Sequence, residues 1–231
     1  MNPFAACCDE QSKLPDFLGS TGFAALPHDL GIAQLRRNAY CESLERWILN
    51  SIWDQGNIPL EKVEIREDLY KRIFSGFKGR LHCFKVVIDS VSEIDFFENK
   101  NAVFYYCILE TPTGGAIPGS ACGCEDDPTV FRAILETFTN TVVCKRLAKY
   151  SLAELTDILE QRIVFFANDS QGFAKVTERI NSKSGFRKLK PPPIEFSSQL
   201  PGPWNPEIEI YRIVLKGSFP FVSGGINRFV I

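Results

Sequence analysis

The chain is organised around the stretch Tyr40-Cys-Glu-Ser-Leu-Glu-Arg-Trp47, in which two carboxylates stand three residues apart and an arginine follows at once. Apolar residues recur at helical spacing around it, which predicts a helix over residues 30–54. Residues three and four apart share a helix face, so Glu42 and Glu45 point to one side and Arg46 neighbours the first of them. The acidic pair can therefore hold a positively charged group.

Spacing alone leaves the identity of that positive group open. Leu35 and Leu49 stand one heptad before and after the first acid, so the carboxylates share their stripe with apolar side chains. Two unpaired carboxylates in such surroundings would repel each other and be costly to desolvate. Arg46, with Arg36 or Arg37, would make the pair a structural ion pair. A Mg²⁺ ion carrying ATP phosphates would make it a metal site, because hard cations prefer oxygen ligands.

The composition is that of a globular protein, since 231 residues with 45% hydrophobic and 12% aromatic content can bury a sizeable core. The formal net charge of −2 gives no basic excess, so a nucleic-acid partner is not expected. Acidic Asp9 and Glu10 stand where a secretory signal needs basic residues, and no window approaches a membrane-spanning length. These features predict a cytoplasmic protein with no membrane association.

Cysteine and histidine usage argues against two common kinds of site. Several of the eight cysteines lie in apolar-periodic segments, where a reduced thiol behaves as a small hydrophobe. Cys122-x-Cys124 and His82-Cys83 lack the paired Cys-x-x-Cys spacing of structural zinc. The other histidine, His28, has no motif around it, so the sequence offers few candidates for the histidine of a hydrolase triad.

Strand and helix patterns alternate along the rest of the chain. A charged helix is predicted over 61–74, followed by neighbouring strands over 82–91 and 102–110 and an acidic stretch, 92–101, between them. The second half predicts a small-residue loop over 111–124, a helix over 127–150 capped by Asp127, a short helix over 151–161, a strand over 162–167, a helix over 171–181, a proline-rich irregular connection over 183–206 and a strand over 207–215. This interleaving favours a mixed α/β (α+β) fold.

Two features near the middle of the chain have more than one interpretation. The loop of small residues could present its amides to a phosphate at the start of the next helix. The acidic run 125–127 instead fits ordinary capping and compensation of the helix dipole. On that helix Arg132, Glu136 and Asn140 are spaced by four and share one face, which is usually a surface feature. Neither a Walker motif nor a dinucleotide fingerprint is present.

Four segments in sequence order carry a family resemblance. Residues 20–25, Ser-Thr-Gly-Phe-Ala-Ala, with the helix 39–46 resemble a Ser-Asn-Gly-x-Ala segment followed by a Glu-x-x-Glu-Arg helix. Residues 101–105 resemble a strand that opens with a proline–valine pair. Residues 118–136 resemble a Gly-x-Gly-x-His loop and a Leu-Arg-Ala-Leu-Thr-Glu helix, and residues 211–217 are similar to a closing Arg-Val-x-x-Pro-Gly-Leu. Together they resemble the YcaO family, ATP-dependent enzymes that activate peptide backbone amides.

The resemblance implies a site for ATP and Mg²⁺. Glu42 and Glu45 would be metal ligands and Arg46 a phosphate contact, while Arg212 and Glu136 would contribute to nucleotide binding; no catalytic residue is assigned. The implied reaction is attack of a Cys, Ser or Thr side chain, or of sulfide, on a peptide carbonyl, with phosphoryl transfer from ATP to the resulting oxyanion. Such chemistry depends mainly on positioning and charge neutralisation.

The sequence also departs from the family pattern. Thr21 stands in place of asparagine, Thr139 in place of a glutamine and Cys124 near the expected histidine. The family has two acidic helices, and the strands and loop here fit the second, which implies a truncated, short form lacking the N-terminal part. The expected organisation is a YcaO-like domain over 20–222 that contains the 183–206 connection, between tails at 1–19 and 223–231.

The resulting functional hypothesis is a YcaO-like protein in the maturation of a ribosomally synthesised, bacteriocin-type antibiotic peptide, by azoline or thioamide formation. A precursor peptide would be one partner. A companion biosynthetic protein would supply the missing part or bind the leader peptide. The alternative is a degenerate, non-catalytic peptide-binding or scaffold subunit of the same complex.

Overall fold

The computed structural model describes residues 21–27, 31–56, 58, 60–89, 102–181, 188–200, 208–218 and 224–230. They form two compact units. The first comprises the described residues of Met1–Trp47 and Pro192–Val222, and the second those of Ile48–Pro191 and Ser223–Ile231. The division after Trp47 falls inside a helix.

The first unit is a three-stranded antiparallel sheet with one helix. Its strands are β1 (Thr21–Pro27), β6 (Ile194–Leu200) and β7 (Ile208–Leu215), in the order β1-β7-β6. The central strand β7 is buried from Ile210 to its end, as expected for a strand covered on both faces. Helix α1 (Ile32–Asn50) contacts this sheet through Arg36, whose guanidinium lies 5.7 Å from the ring centre of Tyr211.

The second unit is built on a four-stranded antiparallel meander. Its strands, in spatial and chain order, are β2 (Glu61–Val63), β3 (Arg80–Ile88), β4 (Ala102–Glu110) and β5 (Ala116–Cys124). Its helices are α2 (Glu67–Lys71), α3 (Asp127–Leu147), α4 (Ile158–Asn168) and α5 (Gly172–Asn181), with a π-helical turn at Ser51–Gln55 and a 3₁₀ turn at Leu152–Glu154. All of β4 except Glu110 is buried, which explains its unbroken run of apolar residues.

The core of the second unit lies between its sheet and α3. Residues from one face of β3, β4 and β5 meet the apolar stripe of α3 there, and fully buried members include Val103, Cys107, Ala133 and Ile134. Strand β5 contributes mostly small side chains, so α3 approaches its backbone closely. Gly119 is the closest point, because a Cβ there would overlap the backbone nitrogen of Thr137 and lie 2.6 Å from the carbonyl oxygen of Ala133.

The mixed α/β (α+β) fold class is confirmed, and so are the long acidic helix, the neighbouring strands β3 and β4, and the helix that contains Pro128.

The loop predicted over 111–124 is wrong beyond residue 115, because residues 116–124 form β5. Glycine and other small residues, which normally indicate a loop, are required here by the close packing of α3. The cap of α3 is Asp126, one residue before the predicted cap, and its carboxylate accepts from the Thr129 N–H at 3.0 Å.

Three other predictions of secondary structure are also wrong. The strand expected over 162–167 lies within α4, which is capped by Asp157; a short buried apolar run does not by itself distinguish helix from strand. The helix expected over 61–74 is divided into β2 and α2, because residues 61–63 pair with β3. The connection expected over 183–206 contains β6, whose alternating pattern follows from pairing with β7.

Several sequence expectations lie outside the described residues. They are the start of the long helix before residue 31, the stretch 92–101, and the tail 1–19.

We expect Gly119→Ala to destabilise the protein by about 1–3 kcal/mol, because its new methyl group would meet backbone atoms of α3 that cannot turn aside. Urea unfolding followed by circular dichroism measures the change. Gly225→Ala is the matched control, since a Cβ there meets only the side-chain oxygen of Asn227, at 3.2 Å. Equal stability of the two variants would contradict the close approach of α3 to β5.

Candidate functional site

The acidic pair of α1 lies between buried turns of the helix. Leu35 and Leu49, one heptad before and after the first acid, are 1% and 4% exposed. Glu42 and Glu45 are themselves half-buried. Arg46 donates a hydrogen bond to the carboxylate of Glu42, and about a third of each of these two side chains remains exposed. The helix therefore holds two carboxylates in partly desolvated surroundings, with one guanidinium against the first.

This geometry fits a structural ion pair between Glu42 and Arg46, and it also fits a cation bound by the two carboxylates. An ion pair with this exposure contributes on the order of 0.2–1 kcal/mol, so a competing charge can replace it at little cost. Glu45 stands one turn away on the same side of α1 as Glu42. The arrangement provides oxygen donors from two carboxylates and a guanidinium that can turn toward an anion.

Arg212 is a buried charged side chain of the first unit. It lies in the middle of β7, is 1% exposed, and its guanidinium is 5.7 Å from the ring centre of Phe196. A buried guanidinium is costly unless aromatic faces, hydrogen bonds or opposite charges surround it. Its planar fork of donors also suits carboxylate and phosphate groups.

Glu136 belongs to a row of three side chains that closes the outer edge of β5. Arg132 donates to the carbonyl oxygen of Cys122 at 2.7 Å, and Asn140 donates to that of Pro118 at 2.8 Å. Between them, the carboxylate of Glu136 accepts from the backbone N–H of Ser120. We call Arg132, Glu136 and Asn140 the polar ladder of α3.

The ladder works because the helix and strand repeats nearly match. Four residues of a helix advance about 6.0 Å and two residues of a strand about 6.6 Å. Side chains at i, i+4 and i+8 of α3 therefore reach alternate residues of β5, all of which direct their backbone groups to the same edge. The two donors meet carbonyl oxygens and the acceptor meets an N–H. Pro118 has no N–H, and its carbonyl oxygen accepts from Asn140.

The carboxylate of Glu136 is desolvated although the residue as a whole is exposed. Its position against β5 raises its pKa, and the hydrogen bonds from Ser120 oppose that rise. On β4, Tyr106 pairs with Ser120, and burial raises the pKa of Tyr106, with a smaller contribution from the charge of Glu136. The ladder thus keeps a carboxylate close to an apolar sheet, where its charge is unfavourable.

The structure places the predicted site residues in two groups. Glu42, Glu45, Arg46 and Arg212 belong to the first unit, and Glu136 to the second. Among the described residues, no group of three or more His, Cys, Asp and Glu side chains is arranged to hold a metal ion. The six described cysteines are free thiols.

Sequence reasoning missed a buried arginine pair in the second unit. Arg162 is fully buried and donates to the carbonyl oxygen of Val230 at 2.9 Å. Arg228 donates to both carboxylate oxygens of Asp54, at 2.9 and 2.6 Å, and to the side chain of Asn50. Burial, together with the charge of Arg228, lowers the pKa of Arg162 to about 10. These contacts span 68 to 178 residues, so no local pattern could reveal them.

A second missed contact involves one of the two histidines. The Nε2 atom of His82 lies 2.9 Å from a carboxylate oxygen of Glu110, and its ring packs 4.4 Å from that of Phe173. The residues are separated by 28 positions, and no motif marks them. His28 lies outside the described residues.

Comparisons with known proteins identify one similar structure. No protein-family model matches the chain, and no curated protein matches it. The chain is similar to the structure of YcaO from Methanopyrus kandleri bound with AMPPCP and Mg²⁺, with a TM-score of 0.50 and 17% sequence identity. The similarity covers 92% of this chain and 58% of that one. The fold is therefore YcaO-like, and the chain spans less than two thirds of the length of that protein.

None of the described helices is long and apolar enough to cross a membrane.

We predict a loss of stability for one substitution of Glu136 and a changed pH dependence of stability for another. Glu136→Leu removes the acceptor for the Ser120 N–H and should cost about 1–3 kcal/mol. Glu136→Gln keeps an oxygen acceptor but cannot ionise. Because the native pKa is raised above its ordinary value of 4.5, this group stabilises the fold fully below that value, and the stabilisation is lost as pH rises through the native pKa.

Urea unfolding between pH 4 and pH 8 measures both effects. The fall in stability that Glu136 contributes should disappear in Glu136→Gln and persist in Glu178→Gln, an exposed glutamate of α5. An unchanged pH profile in Glu136→Gln, or a Leu variant as stable as the wild type, would contradict the role of Glu136 in the ladder.

Proposed function

We propose that this chain is a YcaO-like protein that takes part in maturing a ribosomally synthesised, bacteriocin-type peptide. It would use ATP and Mg²⁺ to activate backbone amides, giving azoline or thioamide groups. The observation that carries the proposal is the similarity in fold, over 92% of the chain, to a YcaO structure bound with AMPPCP and Mg²⁺. The Glu-x-x-Glu-Arg pattern on α1 supports it independently.

Glu42 and Glu45 fit a magnesium site of this kind. Mg²⁺ usually binds proteins through one or two carboxylates and otherwise through phosphates and water, so two half-buried glutamates one turn apart are a sufficient donor set. When bound there, Mg²⁺ would neutralise charge on the phosphates during transfer. Arg46 would leave Glu42 for a phosphate oxygen, an exchange that the partly exposed ion pair allows.

Arg212 is proposed as the second nucleotide contact. Because it is held in the centre of β7, its guanidinium keeps one position and would orient a phosphate without ordering a long side chain. Glu136 is proposed as a further nucleotide-binding residue, in which case its carboxylate would have to serve that role beside its bond to Ser120.

In the proposed reaction, a Cys, Ser or Thr side chain of the precursor peptide, or sulfide, attacks a backbone carbonyl carbon. The γ-phosphoryl group of ATP passes to the amide oxygen and ADP is released. The carbon–oxygen bond then breaks to release phosphate, with loss of the amide N–H proton to form the C=N bond of an azoline or, after attack by sulfide, loss of the S–H proton to form the C=S bond of a thioamide. The chain's own residues would act by binding and orienting the reactants. A companion protein would complete the site or bind the leader peptide.

A second candidate is a non-catalytic peptide-binding or scaffold subunit of the same complex. It is favoured by the engagement of the predicted ligands within the fold, since Glu42 bonds to Arg46 and Glu136 to β5.

Calorimetric titration with Mg-ATP tests the site. We expect Glu42→Gln and Glu45→Gln each to weaken binding about tenfold or more, because each loses an anionic ligand of the metal. Glu195→Gln, an exposed glutamate of β6, is the matched control and should bind as the wild type does. Unchanged affinity in both α1 variants would remove Glu42 and Glu45 from the site.

The two candidate functions differ in nucleotide turnover. The enzyme should hydrolyse ATP when the chain, a companion protein encoded nearby and a precursor peptide are combined, and the peptide should lose about 18 Da per azoline formed, the mass of one water. Mass spectrometry of the peptide and a phosphate-release assay measure both. Peptide binding without Mg-ATP binding or modification would establish the scaffold function instead.

A further inference from the structure

The outer edge of β6 can be assigned from the pairing of β6 with β7. The backbone N–H of Lys216 donates to the carbonyl oxygen of Pro193 at 2.9 Å, so Lys216 directs its backbone groups toward β6. Alternate residues of a strand face the same neighbour, and Val214 and Arg212 therefore face β6 as well. Their partners on β6 are Phe196 and Ser198.

It follows that Ser197 and Gln199 direct their backbone groups away from β7. A bulge between Ile194 and Phe196 shifts the register, and regular pairing continues from there to Leu200. In the described part of the chain, no hydrogen bond from another strand or helix reaches the outward N–H and C=O groups of Ser197 and Gln199. Among the described side chains, Ser198 Oγ contacts these groups, donating to the Gln199 carbonyl oxygen at 3.0 Å.

Of the other three edges of the two described sheets, two are blunted along their length and one is blunted at its end. The polar ladder of α3 occupies the edge of β5. Strand β2 is only three residues long and carries Glu61 and Lys62. Strand β1 ends at Pro27, which has no N–H to offer. Strand β6 carries a charge and a bulge only at its first residues. Ser197 and Gln199 therefore have neither kind of protection.

The side chains of β6 alternate between the two faces of the sheet, and the two faces differ in chemistry. Phe196 and Leu200 are half-buried on one face, while Ser197 and Gln199 are exposed on the other. Ser197 Oγ lies 2.9 Å from the hydroxyl of Tyr211, and Gln199 donates to Glu209 at 3.2 Å. A strand added here would place apolar side chains beside Phe196 and hydroxyl or amide side chains beside Ser197.

We propose that the edge of β6 binds an extended peptide by strand addition. Only an extended backbone repeats its donors and acceptors at the spacing of Ser197 and Gln199, and pairing with both residues would form about four hydrogen bonds. The peptide alternates apolar residues with residues that carry a hydroxyl or amide group, namely Ser, Thr, Asn or Gln. Its identification as the precursor peptide rests on the proposed function, whereas the binding mode does not.

A displayed library of random dodecapeptides, selected on the full chain without nucleotide, tests the proposal. Enriched peptides should lack proline and alternate apolar residues with hydroxyl or amide residues. Ser197→Pro removes an outward N–H and places its ring at the edge, so affinity for a selected peptide should fall about tenfold or more. Gln199→Pro is the second variant. Ala25→Pro, at an exposed position of β1, is the matched control and should bind normally.

Thermal unfolding of each variant separates loss of binding from loss of fold, because proline at an outward position leaves the β6–β7 pairing intact. Hydrogen exchange should be fast at the Ser197 and Gln199 amides in the free chain and slow in the complex. Slow exchange in the free monomer would show that the chain's own residues cover the edge, and a dimer abolished by Ser197→Pro would show self-pairing. Either result, or equal binding by folded Ser197→Pro, overturns the proposal.

The nucleotide site provides an independent readout. Ser197→Pro should leave Mg-ATP affinity unchanged, and Glu42→Gln should leave affinity for the selected peptide unchanged. Peptide binding without Mg-ATP binding would uphold the strand-addition site while overturning the proposed enzyme. Mg-ATP binding with no enriched peptide would do the reverse.

Discussion

The close packing of α3 on β5 is the constraint on which the second unit depends. A helix can lie this near a strand only where the strand carries almost no side chain, as at Gly119. The same proximity lets the polar ladder reach the strand's backbone, so one contact both fills the core and satisfies the sheet edge. Small residues and the four-residue spacing of polar ones are therefore two parts of one requirement.

This double requirement explains which parts of the fold the sequence could predict. Elements with a long, consistent period were predicted correctly, as for α1 and α3, since burial of one stripe outweighs local preference. Strand β5 was not, because its glycines and proline serve an interaction with α3 that no window of ten residues contains. Residues 162–167 were misassigned for the complementary reason: a helix buried on several sides loses the periodicity that identifies it.

The candidate site was predictable to a similar extent. The spacing of Glu42, Glu45 and Arg46 on a helix was enough to expect one shared side and an ion pair, and the structure has that pair. Spacing could not indicate that Arg212 is almost completely buried, because that depends on strands separated by the whole chain. Nor could it show that Glu136 bonds to β5, although its four-residue relation to Arg132 and Asn140 was visible and its partner strand was not recognised.

The hydrogen bonds of Arg162 and Arg228, which hold residues 224–230 in the second unit, affect how the chain can fold during synthesis. These residues belong to the second unit, yet they follow residues 192–222, which belong to the first. Strand β1 likewise cannot pair until β7, more than 180 positions later, has been synthesised. A ribosome extending this chain from its N-terminus therefore releases neither unit in a form that can close until almost all of residues 1–230 have emerged. High sequence separation of this kind slows folding and leaves apolar surface exposed in the meantime. The nascent chain would consequently depend on chaperones for longer than one whose domains are completed one after another.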